Sequence, residues 1–166
     1  MLKQTLAWLG LVILAWAPAA AWAANGVPPA SDLQKDAAAA RAIDGALLVV
    51  LVGERCVYCE RVLNEFLIPM SGNRGYQAKV VMRRLVVSDD VPIRDFEGRP
   101  TTPRKLARQY GYSLVPTVLL LDGKGRLLAK PVVGLTTVDY YGMHLDEAID
   151  LAVNKIRGKA GAQAPL

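Results

Sequence analysis

The stretch LVGERCVYCERVLNEF, residues 51–66, contains both cysteines of the chain, Cys56 and Cys59. An unbroken apolar run, ALLVVLV at 46–52, precedes it, which is typical of a strand buried on both faces. After the cysteines, apolar residues recur at helical spacing, at Leu63, Phe66 and Leu67. The pattern therefore predicts that Cys56 lies where a buried strand ends and a helix begins. A cysteine pair there can be a redox couple, half of a metal site or a short structural cross-link.

The whole chain has the size and composition of one globular domain, with 166 residues, 52% of them apolar and 21% charged. Residues 1–23 have the features of a signal peptide: Lys3, an apolar run at 6–16, and small residues before a cut predicted after Ala23. The alternative is an uncleaved membrane anchor. We predict an exported protein with a linker at 24–30, one domain at 31–158 and a flexible tail at 159–166.

The positive charge of the chain does not indicate a nucleic-acid partner. The formal net charge is +5, but the basic residues are scattered, and the only adjacent ones are the pairs Arg83-Arg84 and Arg104-Lys105. A nucleic-acid site is usually a basic cluster on one face. We therefore predict no nucleic-acid binding.

The remaining segments alternate between helix and strand patterns. The first helix is predicted from a capping box, Ser31 to Gln34, and ends at Gly45. A later helix is predicted from the cap Thr102 to the stop Gly111. Other predicted elements are a helix from Cys56 to about Pro69, a turn at 71–75, strands at 78–88, 116–122 and 126–133, a hairpin turn at 122–125 and a helix at 136–158. Strand–helix–strand order predicts parallel pairing with an antiparallel edge, in one α/β sheet with helices on both faces.

The spacing of the cysteines favours reversible chemistry. Side chains three residues apart on a helix are neighbours, so the pair can exist as a dithiol or as a disulfide. A helix N-terminus, with Arg55 and Arg61 near in sequence, would stabilise a Cys56 thiolate. A cross-link that closes so short a loop constrains the unfolded chain little. We expect Cys56 to attack and Cys59 to resolve.

A metal or haem site has little support in the sequence. Zinc needs four ligands, whereas the chain has two cysteines and a single histidine, His144, which we expect on the surface or in packing. A c-type haem needs a histidine after the second cysteine, where Glu60 stands. The sequence predicts no metal and no cofactor.

Four segments together resemble the thioredoxin superfamily: LLVVLVGERCVYCERVL at 47–63, LVPT at 114–117, DGKG at 122–125 and VVG at 132–134. The resemblance covers residues 45–157 and is closest to exported SoxW-type members. It implies a thioredoxin fold: a mixed sheet of about four strands with helices on both faces, an extra N-terminal helix and a longer loop before the second core helix.

The resemblance also implies an activity and a site. The activity is thiol–disulfide exchange through a Cys56–Cys59 disulfide, with a cis Pro116 beside the pair. Substrate contacts are implied for four neighbouring residues, Val57, Tyr58, Val115 and Thr117.

Two departures from the thioredoxin pattern leave the direction of electron flow open. Val50 stands six residues before Cys56, where thioredoxins usually have a buried acid, and Val57-Tyr58 separate the cysteines in place of Gly-Pro. Glu54 and Glu60 are carboxylates near the pair in sequence. An ordinary place on the surface explains them as well as a role as proton acceptor does. Because the intervening residues carry no charge, we favour a reductant over a DsbA-like oxidase or isomerase, and over a non-catalytic thioredoxin-fold binding module.

The expected partners follow from the exported, reducing role. They are oxidised or thiol-bearing periplasmic proteins, such as those of sulfur oxidation or cytochrome c maturation, and a membrane electron donor of the DsbD/CcdA type. The protein itself is expected to be a monomer. The connection at 89–101 can help to dock a partner or be a plain solvated loop.

Overall fold

The computed structural model describes residues 26–111, 114–135 and 137–158. The predicted signal peptide at 1–23 and the predicted tail at 159–166 lie outside these ranges. Within them, no helix combines the length and the apolar character that a membrane crossing requires.

The elements follow the predicted alternation of helices and strands. In chain order they are α1 Leu33–Ala42, β1 Ala46–Val52, α2 Val57–Arg61, a π-helical stretch Val62–Leu67, α3 Ile68–Gly72, α4 Arg74–Gln77, β2 Val80–Val86, β3 Ile93–Arg94, β4 Pro100–Thr101, α5 Pro103–Gln109, β5 Thr117–Leu121, β6 Val132–Val133 and α6 Val138–Ile156. In the described part of the chain, the main sheet has the strand order β2-β1-β5-β6. The predicted thioredoxin fold, a mixed four-stranded sheet with helices, is confirmed.

The direction of β5 differs from the prediction. β1 and β2 are parallel, but β5 runs antiparallel to β1, with Thr117 opposite Leu51. The Arg104 N–H, in the first turn of α5, donates to the carbonyl of Asp89, 3.2 Å away, just after β2. The connection therefore returns the chain to the end of the sheet where β2 finished. β5 enters from that same end, so the parallel prediction for this strand was wrong.

Both faces of the sheet are covered, which explains why every residue of β1 is buried. The even-numbered side chains of β1 face the helical stretch after Cys56 and α6. The odd-numbered ones face α1 and α5. α6 packs one side against the even-numbered face of β1, and the apolar residues of that side are buried at Leu145, Ile149, Ala152 and Val153 and partly buried at Ile156.

The helix after the cysteines is nearly continuous from Val57 to Gly72, but its middle is π-helical. The Ile68 N–H donates to the carbonyl of Leu63, five residues back. Pro69 follows directly. Because a proline lacks an N–H and its ring collides with the carbonyl four residues back, a widened turn accommodates it. The predicted turn at 71–75 instead holds Asn73, whose side chain caps the short α4.

Two other boundaries differ from the prediction for local reasons. The cap of α1 is Asp32, which accepts from the Lys35 N–H, rather than the predicted Ser31. The Ser31 carbonyl instead accepts from the Arg94 N–H in β3. The predicted strand at 126–133 is reduced to an isolated bridge at Leu127 and the short β6, since Pro131 has no N–H for the ladder. The Thr102 cap of α5 is confirmed.

A partly buried ion pair joins α1 to β2. Asp36 Oδ1 accepts from Arg83 Nε at 2.8 Å, and Arg83 Nη1 also donates to the Met82 carbonyl at 2.8 Å. Burial raises the pKa of the Asp36 carboxyl, although Arg83 opposes that shift. The pair lies on the α1 face of the sheet.

Replacing Arg83 by Met is expected to lower the free energy of unfolding by about 2 kcal/mol at pH 7, because a carboxylate stays buried without its partner. Without Arg83 the pKa of Asp36 rises further. The native state then binds the extra proton, and stability falls as pH rises from the unfolded pKa through the raised folded one. Urea denaturation should thus give a smaller loss at pH 3.5 than at pH 7. The variant Asp36→Asn/Arg83→Met is the control and should lose this pH dependence. Equal losses at both pH values for Arg83→Met would contradict the electrostatic explanation.

Candidate redox site

The two cysteines form a disulfide at the corner between β1 and α2. β1 ends at Val52, and Cys56 is the N-cap of α2, with extended backbone angles. The Cys59 N–H donates to Cys56 Sγ at 3.2 Å, so the sulfur serves as the capping acceptor. The Cα atoms of the two cysteines are 5.2 Å apart. The predicted strand-to-helix corner is therefore present, with the pair joined at its start.

The two sulfur-bearing residues differ in exposure. Cys59 is 2% exposed and belongs to the core beneath α2, whereas Cys56 is half-buried at the edge of that core. After reduction, the N–H that points at Cys56 and the positive end of the helix would both favour its thiolate. Only Cys56 is placed to meet an incoming disulfide.

The four charged residues near the pair differ in their contacts and exposure. Arg61 forms a two-pronged pair with Glu65, at 2.9 and 3.3 Å, and this contact raises the pKa of its guanidinium. Arg61 is therefore engaged one turn further along the helix. Arg55 is exposed and has a left-handed backbone, with φ of 49°. Glu54 accepts from Ser88 Oγ at 3.2 Å, and Glu60 is exposed.

The segment before β5 lies next to the pair. The Val115–Pro116 peptide bond is cis. A Cβ atom on Gly53 would lie 3.1 Å from Val115 Cγ2 and 3.7 Å from Cys56 Cβ, so Gly53 lets the two segments approach. The Pro116 carbonyl accepts from the Gly134 N–H at 2.7 Å, which ties this segment to the end of β6.

The four residues implied to contact substrate differ in accessibility. Val57 and Tyr58 are 67% and 60% exposed. Val115 is half-buried. Thr117 is fully buried, and its hydroxyl donates to the Leu114 carbonyl at 2.8 Å. Its side chain thus lies behind the surface that a substrate would meet, and it supports the segment that carries Val115.

The core beside Cys59 holds no carboxylate among the described residues. Val50 is fully buried on the same face of the sheet as Cys59. Asp36, the buried carboxyl, is on the opposite face. Tyr141 contributes a phenol to the Cys59 side, and burial raises its pKa to about 12, so it stays neutral at physiological pH. Its hydroxyl has no hydrogen-bond partner in the part of the chain that the structure describes.

His144 lies on the exposed face of α6, with Nδ1 3.6 Å from a Glu147 oxygen. Across residues 26–111, 114–135 and 137–158, no three His, Cys, Asp or Glu side chains are grouped as metal ligands would be.

Sequence reasoning missed several residues that shape the site. Ser88 and Arg104 hold the loop after β2 beside Glu54, and they are far from it in sequence. No local pattern could have paired them. Gly53 carried a usable signal, because a glycine directly after a buried strand often marks a close approach of two backbones.

A family model matches most of the described domain. A family model described as a thioredoxin-like domain matches residues 33–149. A search of curated protein sequences gives no match. Among solved structures, the periplasmic thioredoxin SoxS from Paracoccus pantotrophus in its reduced form is similar, at 22% identity over 64% of this chain and 98% of that chain, with a TM-score of 0.44. Thioredoxin f from spinach chloroplast, in its short form, is 20% identical over 76% of this chain and 95% of that chain, with a TM-score of 0.48. Thioredoxin NaTrxh from Nicotiana alata is 17% identical over 71% of this chain and 93% of that chain, with a TM-score of 0.47.

The family model spans more than half of the chain, and its region contains the strand, the helix start and both cysteines. The chain belongs to the thioredoxin-like domain family, and its Cys56–Cys59 pair makes it a thiol–disulfide oxidoreductase.

Proposed function

We propose that this oxidoreductase is an exported reductant of protein disulfides, of the SoxW type, that works in the periplasm. The observation that carries the proposal is the unequal exposure of the pair, with Cys56 accessible at a helix N-terminus and Cys59 buried behind it. The leader-like residues 1–23 support export.

The proposed reaction transfers two electrons through a mixed disulfide. The Cys56 thiolate attacks one sulfur of the substrate disulfide, and the other substrate sulfur leaves as a thiolate that takes up a proton. Cys59 then loses its proton and attacks Cys56 Sγ, so the Cys56–Cys59 bond forms and the second substrate thiol is released. The substrate is reduced and the protein is oxidised, and an electron donor returns it to the dithiol form.

The residues between the cysteines favour the reducing direction. A strong oxidant owes its potential to a stabilised reduced form. Val57 and Tyr58 are exposed and carry no charge that would stabilise the Cys56 thiolate. A DsbA-like oxidase or isomerase is the second candidate, because the exposed Arg55 precedes Cys56 and would stabilise that thiolate.

The proposed partners are exported proteins with oxidised cysteines and a membrane donor of the DsbD/CcdA type. The backbone of Val115, which lies beside Cys56 and precedes a proline without an N–H, is proposed to pair with an extended segment of such a protein. Sulfur-oxidation and cytochrome c maturation proteins remain the proposed substrates.

The direction is tested by the reduction potential of the purified protein in glutathione buffers. A reductant is expected to have a reduction potential of about −270 mV, the value of thioredoxin. A potential of about −120 mV would assign the oxidase role instead. Insulin reduction with dithiothreitol as the donor should proceed with the wild type. A pair that dithiothreitol does not reduce would leave only the binding-module reading.

A further inference from the structure

The chain that leaves β2 lies beside the chain that carries Cys56. β1 and β2 are parallel neighbours, with Val52 opposite Val86, and the Val87 N–H donates to the Val52 carbonyl at 2.9 Å. Adjacent strands are about 4.8 Å apart. Cys56 follows the end of β1 at Val52 by four residues, and Val91 follows the end of β2 at Val86 by five. Both segments therefore emerge side by side at one end of the sheet.

The segment 88–92, which we name the Ser88–Pro92 turn, is fastened on two sides. Ser88 Oγ donates to Glu54, two residues before Cys56. On the other side, Arg104 Nη2 donates to the Ser88 carbonyl at 2.6 Å and Arg104 Nε to Asp90 at 2.9 Å. The Arg104 N–H also donates to the Asp89 carbonyl. These contacts fix the turn relative to the redox site.

The turn presents an exposed apolar side chain next to a surface ion pair. The Asp90 carboxylate is paired with Arg104, and Asp89 Oδ1 accepts from the Val91 N–H at 2.9 Å. Val91 itself is 61% exposed. A valine held outward by its own fixed backbone loses little conformational freedom when a partner covers it.

Val91 is one of several exposed apolar side chains on the segments that meet at this end of the sheet. In the part of the chain that the structure describes, eight large apolar side chains are exposed, and four of them lie on the three segments at this site. They are Val57 and Tyr58 between the cysteines, Leu114 before the cis peptide bond, and Val91. The turn with Val91 therefore leaves the sheet at the same end as Cys56 and adds an exposed apolar side chain to those on the other two segments.

We propose that the Ser88–Pro92 turn is a docking arm for protein substrates of the Cys56–Cys59 pair, with Val91 as the contact and Arg104 as the positioning residue. The partner is a protein segment that presents an apolar side chain a few residues from its own reacting cysteine. The inference rests on the proposed reduction of protein disulfides. A small disulfide reaches only the sulfur and gains nothing from the arm.

The test compares two probes, insulin and 5,5′-dithiobis(2-nitrobenzoate), with the full-length protein. Val91→Asp is expected to lower kcat/KM for insulin about tenfold, mostly through KM, while the rate with the small disulfide stays within about twofold. Arg104→Met should lower the insulin value in the same way, since it frees the turn without touching the sulfur. Val91→Ser serves if the aspartate variant does not fold.

The matched control is Leu127→Asp, which places the same charge at an exposed leucine near the 122–125 hairpin, at the far end of β5. It should leave both rates unchanged. An unchanged insulin value for Val91→Asp would overturn the docking arm, and so would an equal loss with both probes. A mass in solution that halves on Val91→Asp would make the arm a contact between two copies and would also overturn it. A wild type that reduces neither probe would instead refute the proposed function.

Discussion

Replacing Cys59 by Ser is expected to trap substrates on Cys56 as lasting mixed disulfides, whereas Cys56→Ser should abolish turnover, by about a thousandfold or more. The expectation follows from the exposure of the two residues. Cys56 is half-buried at the surface, and the buried Cys59 supplies the sulfur that releases the product. Without that second sulfur, the mixed disulfide has no internal nucleophile to break it.

Trapping is read on non-reducing gels of cell extracts, followed by mass spectrometry of the covalent species. The double variant Cys56→Ser/Cys59→Ser is the control and should trap nothing. Circular dichroism checks that the Cys59→Ser variant is folded. A serine hydroxyl in the apolar surroundings of Cys59 lowers the free energy of unfolding by about 1–3 kcal/mol if it has no hydrogen-bond partner. If Cys59→Ser forms no adduct while Cys56→Ser stays active, the roles of the two cysteines are reversed.

The parts of the site that the sequence predicted depend on local patterns. A run of seven apolar residues is typical of a strand covered on both faces, and the structure buries all seven. The start of α5 was equally local, because Thr102 caps it and Pro103 needs no N–H partner. The position of Cys56 between β1 and α2 follows from the first of these patterns.

The parts that the sequence could not predict depend on contacts between distant residues. The antiparallel direction of β5 follows from the return of the chain through Asp89 and Arg104, and residue periodicity carries no information on strand direction. The same holds for Ser88 and Glu54, which are 34 residues apart. The sequence predicts a loop at 89–101, yet this connection contains β3 paired with β4, two strands too short to show a period.

Val50→Asp is expected to destabilise the oxidised protein by about 4 kcal/mol at pH 7. Val50 is fully buried between Val118 of β5 and Arg84 of β2, with its side chain in the apolar core that also holds Cys59. A carboxyl there would have its pKa raised by desolvation by about 3 units, and each unit corresponds to about 1.4 kcal/mol. The protein would then lose stability as pH rises from the unfolded value, about 3.9, through the raised folded one.

Val50→Thr is the matched control, because it keeps the shape of valine and adds a polar atom without an acid. Urea denaturation at pH 4 and pH 7 should separate the two, with a pH-dependent loss for Asp and a nearly constant one for Thr. Equal losses of stability for Val50→Asp and Val50→Thr at pH 7 would mean that water or a cation reaches position 50. The expected outcome would instead establish that the space beside Cys59 is dry and holds no charge. The proton of Cys59 must then leave without a carboxylate at position 50, and the nearby phenol of Tyr141, with a pKa raised to about 12, stays protonated at neutral pH and does not accept it.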